Sequence, residues 1–258
     1  MELLLYLEFY AFPILFLLST IAVNAPYGKF ARDGWGPQFN GKWSFFIFEA
    51  VSPLFFFYFW WISNTLSSVY SIFLCSLYML HYIYRSIIFT YITPSMKPAS
   101  LPIILSAIFF NSINGYNNGI ATSQLSSSSS ILLSILGTSL FIIGKEKSCN
   151  FNFVGLSINI HSDAHLRSLR SKPGNNPNAY YIPDAGFYKY VTAANYFGEL
   201  VEWFGWSLLL YPNVAGLAFF FCTFANLVPR AMSTHQWYKQ KFSEKYPKDR
   251  YVIIPFVF

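Results

Sequence analysis

The chain has 258 residues, of which 54% are hydrophobic, 21% are aromatic and only 11% are charged. Soluble domains usually carry about 25% charged residues, and a soluble protein of this size could not keep so much apolar surface away from water. Several segments approach the roughly 20 apolar residues that cross a bilayer. The composition excludes a soluble globular protein and predicts an all-α, polytopic membrane protein, in which the net charge of +6 is first a sign of topology.

Hydropathy and helix breakers predict seven transmembrane helices. The first is expected to be retained, because the basic region of a cleaved signal peptide is missing and Glu2 and Glu8 stand there instead. The fifth is interrupted by KEKSCNFNFVG, residues 145–155, which we interpret as an inserted loop or a sequence error. The predicted spans are 2–23, 43–62, 67–91, 100–114, 130–144 continuing toward 170, 191–210 and 213–230.

The basic residues provide a test of this count, because cytosolic connections carry an excess of Lys and Arg. When the connections are assigned alternately to the two sides, one set holds every Lys and Arg except Arg85, which lies within a span. The other set, which includes the serine-rich stretch NGYNNGIATSQLSSSSS, holds none. This asymmetry predicts a lumenal N-terminus and a cytosolic C-terminus.

Ionisable groups inside the predicted spans indicate function or a buried pair, since they are costly in lipid. Glu49 stands among phenylalanines in FFIFEAVSPLFFF, and Tyr82 and Arg85 are three residues apart in LHYIYRS. Asn195 and Glu199 are four residues apart in the sixth span and share a helix face. Glu49 and Arg85 could equally pair to lock two helices together.

A polar stripe ends the fifth span in the stretch SINIHSDAHLRSLR. Its steps of four, four and three place the polar residues on one helix face, toward the cytosolic side, where a water-soluble anion could enter. Arginine for phosphate, asparagine for an amide and acids for ribose hydroxyls suit a nicotinamide dinucleotide. No GxGxxG motif occurs, so helix faces would have to bind it. The stripe consists of Asn159, Asp163, Arg167 and Arg170.

Two other interpretations of this stretch remain open. The stripe could be a solvated helix end whose arginines reach the interface. His161 and His165 have the four-residue spacing found in zinc sites, but the Glu of HExxH and a clear third ligand are missing. The three cysteines are far apart and lack CxxC spacing. No metal site is therefore expected.

Seven motifs occur in order along nearly the whole chain: NAPYGKF, FEAVSP, LHYIYR, INIHSDAHLRSLR, ANYFGELVEWFGW, NLVPRA and KYPKDRYVIIPFVF. Each would be weak alone. In this order the chain resembles the steroid 5α-reductases, membrane enzymes that reduce 3-oxo-Δ4 steroids with NADPH. The resemblance implies one membrane domain, residues 1–258, with a substrate pocket mainly in the N-terminal half and an NADPH site mainly in the C-terminal half.

The resemblance also implies roles for single residues. Tyr82 and Glu49 match the pair that contacts the steroid 3-keto oxygen, and Arg167 joins the cofactor set because it shares the helix face of the stripe. Asn114 and Tyr181 lie in motif-like stretches without an assigned role. The positions matching the NADPH site are Tyr27, Lys29, Asn159, Asp163, Arg170, Asn195, Glu199, Arg230 and Tyr238.

The implied mechanism follows from carbonyl chemistry. Hydride delivered to C5 leaves an enolate with its charge largely on O3, so the site must place a hydrogen-bond donor there. Tyr82 can donate, and Glu49 can donate if it keeps a proton, which apolar surroundings favour. The proton for C4 would come from water or an unidentified acid. The resemblance further implies the endoplasmic reticulum and a steroid or sterol entering from the lipid; no nucleic-acid partner and no obligate protein partner are expected.

The sequence departs from the family pattern at three places. Thr234 precedes His235 where a second histidine is usual, and Asn117 and Asn118 replace Leu-Gln. The third departure is the interruption at 145–155. The alternatives are a reductase of trans-2-enoyl thioesters or polyprenols, or a membrane protein that binds NADPH without turnover. A transporter is disfavoured because the polar groups cluster toward one side.

Overall fold

The computed structural model describes residues 2–22, 26–63, 68–128, 130–142, 155–176 and 179–258. The fold is mostly helical, as predicted, with one antiparallel pair of two-residue strands, in which Gln38 faces Ser100 and Phe39 faces Ala99. The elements are α1 Glu2–Tyr6, α2 Phe12–Ala22, β1 Gln38–Phe39, α3 Gly41–Ser63, α4 Val69–Tyr82, α5 Phe89–Ile92, β2 Ala99–Ser100, α6 Leu101–Ser123, α7 Ile131–Ile142, α8 Gly155–Ser171, α9 Ala194–Leu210 and α10 Ala215–Phe242.

Two of the long helical stretches contain a π-helical segment. Leu7–Ala11 joins α1 to α2, and Ile83–Ile88 joins α4 to α5. Such segments occur frequently at functional sites. Each of these carries an acid or base that an apolar helix would not otherwise hold: Glu8 in the first and Arg85 in the second.

Four helical stretches are long and apolar enough to cross a membrane, which supports an integral membrane protein. They coincide with the first, second, third and seventh predicted spans. The helices α6, α7 and α9 form where the fourth, fifth and sixth spans are predicted, and the count of seven spans remains a prediction. The four stretches are Glu2–Ser19, Gly41–Ser63, Val69–Ile92 and Ala215–Lys245.

The predicted C-terminal end of the fourth span, residue 114, is wrong. The helix α6 continues to Ser123 and includes the NGYNNG stretch, for which the sequence predicts a lumenal connection. Asn114, Asn117 and Asn118 are buried within this helix. Their amides bond to other helices, so their polarity faces the protein interior rather than water. The predicted interruption at 145–155 lies outside the described residues, except for Gly155, which begins α8.

Close helix packing positions the polar residues. A Cβ on Gly119 of α6 would lie 2.5 Å from the backbone oxygen of Phe56 in α3, so glycine is required where these two helices touch. A Cβ on Gly198 of α9 would lie 2.6 Å from the backbone nitrogen of Asn159 in α8. Because glycine has no side chain, α6 packs closely on α3 and α8 packs closely on α9. These close contacts bring the polar faces of α6 and α8 against the neighbouring helices.

The C-terminal segment holds the start of α9. The backbone N–H of Tyr251 donates to Tyr190 at 2.8 Å, and Thr192 and Ala193 donate back to Tyr251 and Val252 at 2.9 and 3.1 Å. The Thr192 hydroxyl lies 2.6 Å from the Tyr246 hydroxyl. This pairing fixes the approach to α9, on which Asn195 and Glu199 lie.

Candidate active site

Arg85 is the centre of the largest ionic cluster among the residues that the structure describes. Its guanidinium lies 3.3 Å from Asp163 of α8, 3.9 Å from Glu199 of α9 and 4.0 Å from Glu49 of α3. Three helices that are distant in sequence therefore converge on one cation. The pairing of Glu49 with Arg85 that the sequence allowed is present, and it belongs to a cluster with two of the residues matched to the cofactor site.

Aromatic rings shield this cluster. The Arg85 guanidinium carbon lies 5.3 Å from the centre of the Phe45 ring and 4.9 Å from that of Phe89. The side chains of Arg85 and Asp163 are 16% and 5% exposed. The charges are thus largely removed from water, where their mutual attraction is stronger than at a surface.

Tyr82 lies in a buried network of neutral donors. Its hydroxyl oxygen accepts a hydrogen bond from the Asn114 side-chain amide at 3.3 Å, and the same amide lies 3.0 Å from the Tyr78 hydroxyl. Since the Asn114 amide donates, a carbonyl placed at Tyr82 can receive the phenolic hydrogen without displacing Asn114. The sequence singled out Asn114 without giving it a role, and the structure supplies its contacts.

A second asparagine orients the first. The Trp206 indole N–H donates to Asn118 Oδ1 at 2.8 Å, and Asn118 Nδ2 donates to Asn114 Oδ1 at 2.8 Å. This assignment of the amides follows from the network itself. The donors run in one direction, from Trp206 through both asparagines to Tyr82. Sequence reasoning missed this chain; its signal is the pair of asparagines four residues apart in an apolar helix.

Glu49 lies on α3 and Tyr82 at the end of α4. Ser52, one turn after Glu49, bonds at 2.7 Å to the hydroxyl of Tyr78, one turn before Tyr82. On the other side, Arg85 lies 4.0 Å from Glu49. One contact, between Ser52 and Tyr78, lies a turn to one side of Glu49 and Tyr82, and the other involves Glu49 itself and Arg85. These two contacts bring Glu49 and Tyr82 into one region.

The first half of the predicted stripe meets α9. The Asn159 amide donates to the backbone oxygen of Asn195 at 3.1 Å, and the Asn195 amide donates to Asp163 at 3.2 Å. The Tyr188 hydroxyl lies 3.4 Å from Asn195 Oδ1. The prediction that Asn159 and Asp163 share one face is confirmed, and that face packs on the helix that carries Asn195 and Glu199.

The two arginines of the stripe contact other parts of the protein. Arg167 lies 5.6 Å from the centre of the Phe89 ring, and one of its buried guanidinium nitrogens, Nη1, has no hydrogen-bond partner among the described residues. Arg170 lies 5.3 Å from the centre of the Tyr180 ring. The stripe thus runs from the Arg85 cluster to an aromatic region at the C-terminal end of α8.

Arg230 is buried against the N-terminal loop. Its Nη2 donates to the backbone oxygen of Tyr27 at 2.8 Å, and its guanidinium lies 3.5 Å from the centre of the Tyr27 ring. Its Nη1 is buried without a hydrogen-bond partner among the described residues. The Tyr27 hydroxyl donates to Asn226 at 3.3 Å, so the loop and α10 are joined by two separate contacts.

Lys29 completes a group of cations. Its ammonium lies 5.3 Å from the Trp237 ring and 5.1 Å from the Tyr238 ring. Removal from water, with the nearby Arg230 and Arg170 charges, lowers the pKa of Lys29 to about 7. In the described part of the chain, no carboxylate pairs with any of the three. Lys29, Arg170 and Arg230 therefore form a cationic group open to an anion.

A loop covers this side of α8, and two histidines hold it. His165 Nε2 lies 3.2 and 3.3 Å from the backbone nitrogens of Asp184 and Ala185. A Cβ on Gly186 would lie 2.6 Å from the His161 ring, so glycine is required there. The Tyr238 hydroxyl donates to the backbone oxygen of Tyr181 at 3.3 Å. The zinc-like spacing of the histidines thus serves loop contacts, and no group of three potential metal ligands occurs among the described residues.

The comparisons with known proteins agree on one family. A family model described as 3-oxo-5-alpha-steroid 4-dehydrogenase matches residues 97–258. The rat protein "3-oxo-5-alpha-steroid 4-dehydrogenase 1" is 35% identical over 272 residues, covering 100% of this chain and 95% of the rat protein. The Arabidopsis thaliana protein "Steroid 5-alpha-reductase DET2" is 34% identical over 247 residues, covering 92% and 88%. The human "3-oxo-5-alpha-steroid 4-dehydrogenase 1" is 41% identical over 185 residues, covering 72% and 67%.

Proposed function

The chain belongs to the 3-oxo-5-alpha-steroid 4-dehydrogenase family, whose members are oxidoreductases, and we propose that it reduces the Δ4 double bond of a 3-oxo-Δ4 steroid or sterol with NADPH. The observation that carries the proposal is the position of Arg85. It lies within 4.0 Å of Glu49, on the proposed substrate side, and of Asp163 and Glu199, on the proposed cofactor side. Contacts of one residue with both proposed half-sites support the proposal, because hydride transfer requires substrate and cofactor to be adjacent.

Tyr82 is the proposed donor to O3. Bound NADPH would supply a hydride for C5 of the steroid, and the negative charge would then lie largely on O3. The phenolic hydrogen of Tyr82 meets that charge in a dry setting, where a fixed donor is most effective. The Asn114 amide, which donates to the same hydroxyl oxygen at 3.3 Å, makes Tyr82 a stronger donor because the two hydrogen bonds polarise each other.

Glu49 is the proposed second donor. One guanidinium cannot neutralise three carboxylates, and like charges in a buried site favour the protonation of one of them. Glu49 stands among phenylalanines in the sequence, and its distance of 4.0 Å from Arg85 is longer than the 3.3 Å of Asp163. We assign the retained proton to Glu49, which can then donate to O3 beside Tyr82.

The described residues fit a dinucleotide with an extra phosphate. Lys29, Arg170 and Arg230 offer cationic groups without a carboxylate partner, and the unpartnered Nη1 of Arg230 is buried. Arginine suits a 2′-phosphate because it binds phosphate in a bidentate manner. The remaining proposed contacts are the amides of Asn159 and Asn195, the acids Asp163 and Glu199, and the side chains of Tyr27, Arg167 and Tyr238.

The proposed topology has seven transmembrane helices in one domain, residues 1–258, with a lumenal N-terminus and a cytosolic C-terminus in the endoplasmic reticulum. The N-terminal half supplies most of the substrate pocket. An open groove of about 520 Å³ lies between α3 and the stretch from Met79 to Ile87 and is lined by apolar side chains such as Phe46, Pro53 and Ile83; neither Glu49 nor Tyr82 is among its lining residues. Its volume is in the range of small-molecule sites. It supports entry of the steroid from the lipid.

The test is expression of the chain in membranes that lack this activity, with NADPH and either a 3-oxo-Δ4 steroid or a trans-2-enoyl-CoA, and identification of the products by mass. A 5α-reduced steroid as the sole product is expected. A saturated acyl-CoA as the sole product would overturn the assignment of a steroid as the substrate. NADPH binding by folded protein without either product would indicate a binding role, for which Thr234 and the interruption at 145–155 are the first residues to examine.

A further inference from the structure

An exposed aromatic surface lies on the C-terminal segment, outside the candidate active site. Phe256 and Val257 are 71% and 74% exposed, and Tyr190 and Tyr251 are 42% and 39% exposed. The centre of the Phe256 ring lies 5.2 Å from that of Tyr190 and 6.2 Å from that of Tyr251. These three rings, with Val257 next in the chain, form one surface, which we call the aromatic patch. Exposed apolar surfaces of this kind mark sites of interaction.

A tight backbone turn presents two of these side chains. The backbone oxygen of Phe258 accepts hydrogen bonds from the N–H groups of Ile253 and Ile254 at 2.9 and 2.7 Å. Within this turn Phe256 has a φ of 64°, a left-handed conformation that is costly for a bulky residue. The hydrogen bonds hold the strained residue with its ring on the surface instead of in the core. Strain that is maintained in this way indicates a function.

The exposed face of α10 marks where contact with lipid ends. This helix belongs to a stretch that is long and apolar enough to cross a membrane. Steps of three, eight, four and three place its exposed residues Phe221, Phe224, Met232, Gln236 and Lys239 on one face. The face is apolar up to Met232 and polar from Gln236, which indicates that lipid contact ends within this one turn.

The aromatic patch lies beside the apolar part of that face. Ile253, in the segment that carries the patch, is fully buried in a core cluster with Leu227 and Ala231 of α10. Val228 packs against the same cluster and stands four residues before Met232, on the exposed face. The segment therefore flanks this face at a level where the side chains of α10 are still apolar.

The residue types of the patch are typical of a membrane interface. Tyrosine is enriched there because its ring is apolar and its hydroxyl reaches water. Lys189, which is exposed and precedes Tyr190, can extend its ammonium group toward lipid headgroups. Since the patch continues the apolar face of α10, lipid is the partner that covers both surfaces.

We propose that the aromatic patch inserts into the membrane leaflet at whose surface α9 begins, and that this lipid contact stabilises the start of α9. The patch is joined to α9 through the backbone: Tyr251 donates to Tyr190, and Thr192 and Ala193 donate back to Tyr251 and Val252. Lipid that holds the patch therefore also holds the pairing that precedes the helix. The inference goes beyond the proposed reaction, because it assigns a membrane contact to residues outside the seven predicted spans.

The test of insertion is a spin label at position 257 of the full chain in lipid nanodiscs. Cys75 and Cys222 are buried, so the label is attached to Val257→Cys in a chain that also carries Cys149→Ser. Collisions with oxygen, which concentrates in lipid, should exceed those with a water-soluble nickel complex. The control is Lys248→Cys, at an exposed residue shortly before the patch, and it should show the reverse.

Two results would overturn the insertion. A label at position 257 that collides mainly with the nickel complex, as at position 248, would show that water covers the patch. Few collisions with either agent, together with broadening between labels, would show that a second copy of the chain covers it.

Hydrogen exchange in nanodiscs tests the effect on α9. The double variant Phe256→Ser with Val257→Ser changes only exposed side chains, so the core stays packed. The amides of Thr192 and Ala193 should exchange about tenfold faster in this variant, because the lipid contact no longer opposes local opening. Lys248→Ser should leave their exchange unchanged. Equal exchange in the double variant and the unaltered chain would overturn the stabilising role.

Discussion

The two halves of the candidate site are built on opposite principles. Around Tyr82, neutral groups from three helices satisfy one another, with Trp206, Asn118 and Asn114 donating in sequence. Around Arg230, cations lie against rings and backbone, and no carboxylate among the described residues pairs with them. A bonded network keeps its geometry before the substrate arrives, whereas unpaired cations gain most when an anion binds. The first half is suited to activating a carbonyl and the second to binding phosphates.

The largest effect is expected from breaking the substrate half. Tyr82→Phe removes the proposed donor to O3 and should lower kcat by roughly 100- to 1,000-fold, the usual cost of one oxyanion donor. Glu49→Gln should also lower kcat strongly, since an amide is a poorer donor than a carboxylic acid. Both variants should bind NADPH with nearly unchanged affinity, measured by fluorescence titration. Normal turnover in the pair of variants would contradict the assignment; Tyr91→Phe, at an exposed tyrosine, is the control.

Substitutions in the proposed cofactor half should weaken NADPH binding and leave turnover at saturating NADPH largely unchanged. Arg230→Gln removes a buried cation and should weaken NADPH binding by about 10- to 100-fold, because hydrogen bonds to charged groups are the strong ones. Turnover at saturating NADPH should change much less. Titration of the dissociation constant provides the measurement, with Lys239→Gln, an exposed cation on the same helix, as the control. Equal losses in both variants would argue for a general effect of charge.

The orientation of Asn114 offers a finer test of the bonded network. Asn118→Leu removes the group that receives the Trp206 N–H and donates to Asn114. Asn114 then loses the partner that aims its amide at Tyr82, and kcat should fall by about tenfold, less than the roughly 100-fold that a misplacement of 1 Å can cost. The KM for the steroid and the affinity for NADPH should stay close to those of the unaltered chain. A fall in protein yield alone would indicate a packing role instead.

The smallest effect is expected from pH. Lys29 has a pKa of about 7 in the free protein, and a bound phosphate should raise that pKa because it favours the charged form. Binding then takes up a proton, so affinity is highest below about pH 7 and falls as pH rises through that value. Calorimetry near pH 7.5 in two buffers of different ionisation enthalpy should detect the uptake. Lys29→Met should abolish it, and an unchanged uptake in that variant would assign the proton to another group.

The sequence alone predicts which site residues share one helix face. It does not predict which residues of separate helices meet. Steps of four, four and three placed Asn159 and Asp163 on one face of α8, and both meet Asn195. Helix periodicity is a local property, so spacing suffices for it. The meeting of Glu49, Asp163 and Glu199 at Arg85 depends on the order and rotation of separate helices, which no spacing within one helix contains.

The end of α6 shows a different limit of sequence reasoning. Hydropathy and helix breakers predict a lumenal connection for the stretch that contains Asn117 and Asn118. In the structure, Asn117 Nδ2 donates to Glu8 and Asn118 Oδ1 accepts from Trp206, and the helix continues to Ser123. Hydropathy measures what a residue prefers in the absence of a partner, and a buried partner reverses that preference.

The π segment Ile83–Ile88 has a consequence for sequence change by insertion and deletion. A π turn holds more residues than an α turn, and each residue of an α-helix rotates the chain by about 100°. An in-frame deletion of one codon within this segment would restore regular α geometry without breaking the helix. A deletion of Ile83 or Tyr84, which lie between Tyr82 and Arg85, would also turn these two side chains relative to each other around the helix axis. Such a deletion should yield a folded membrane protein whose two half-sites no longer face one another.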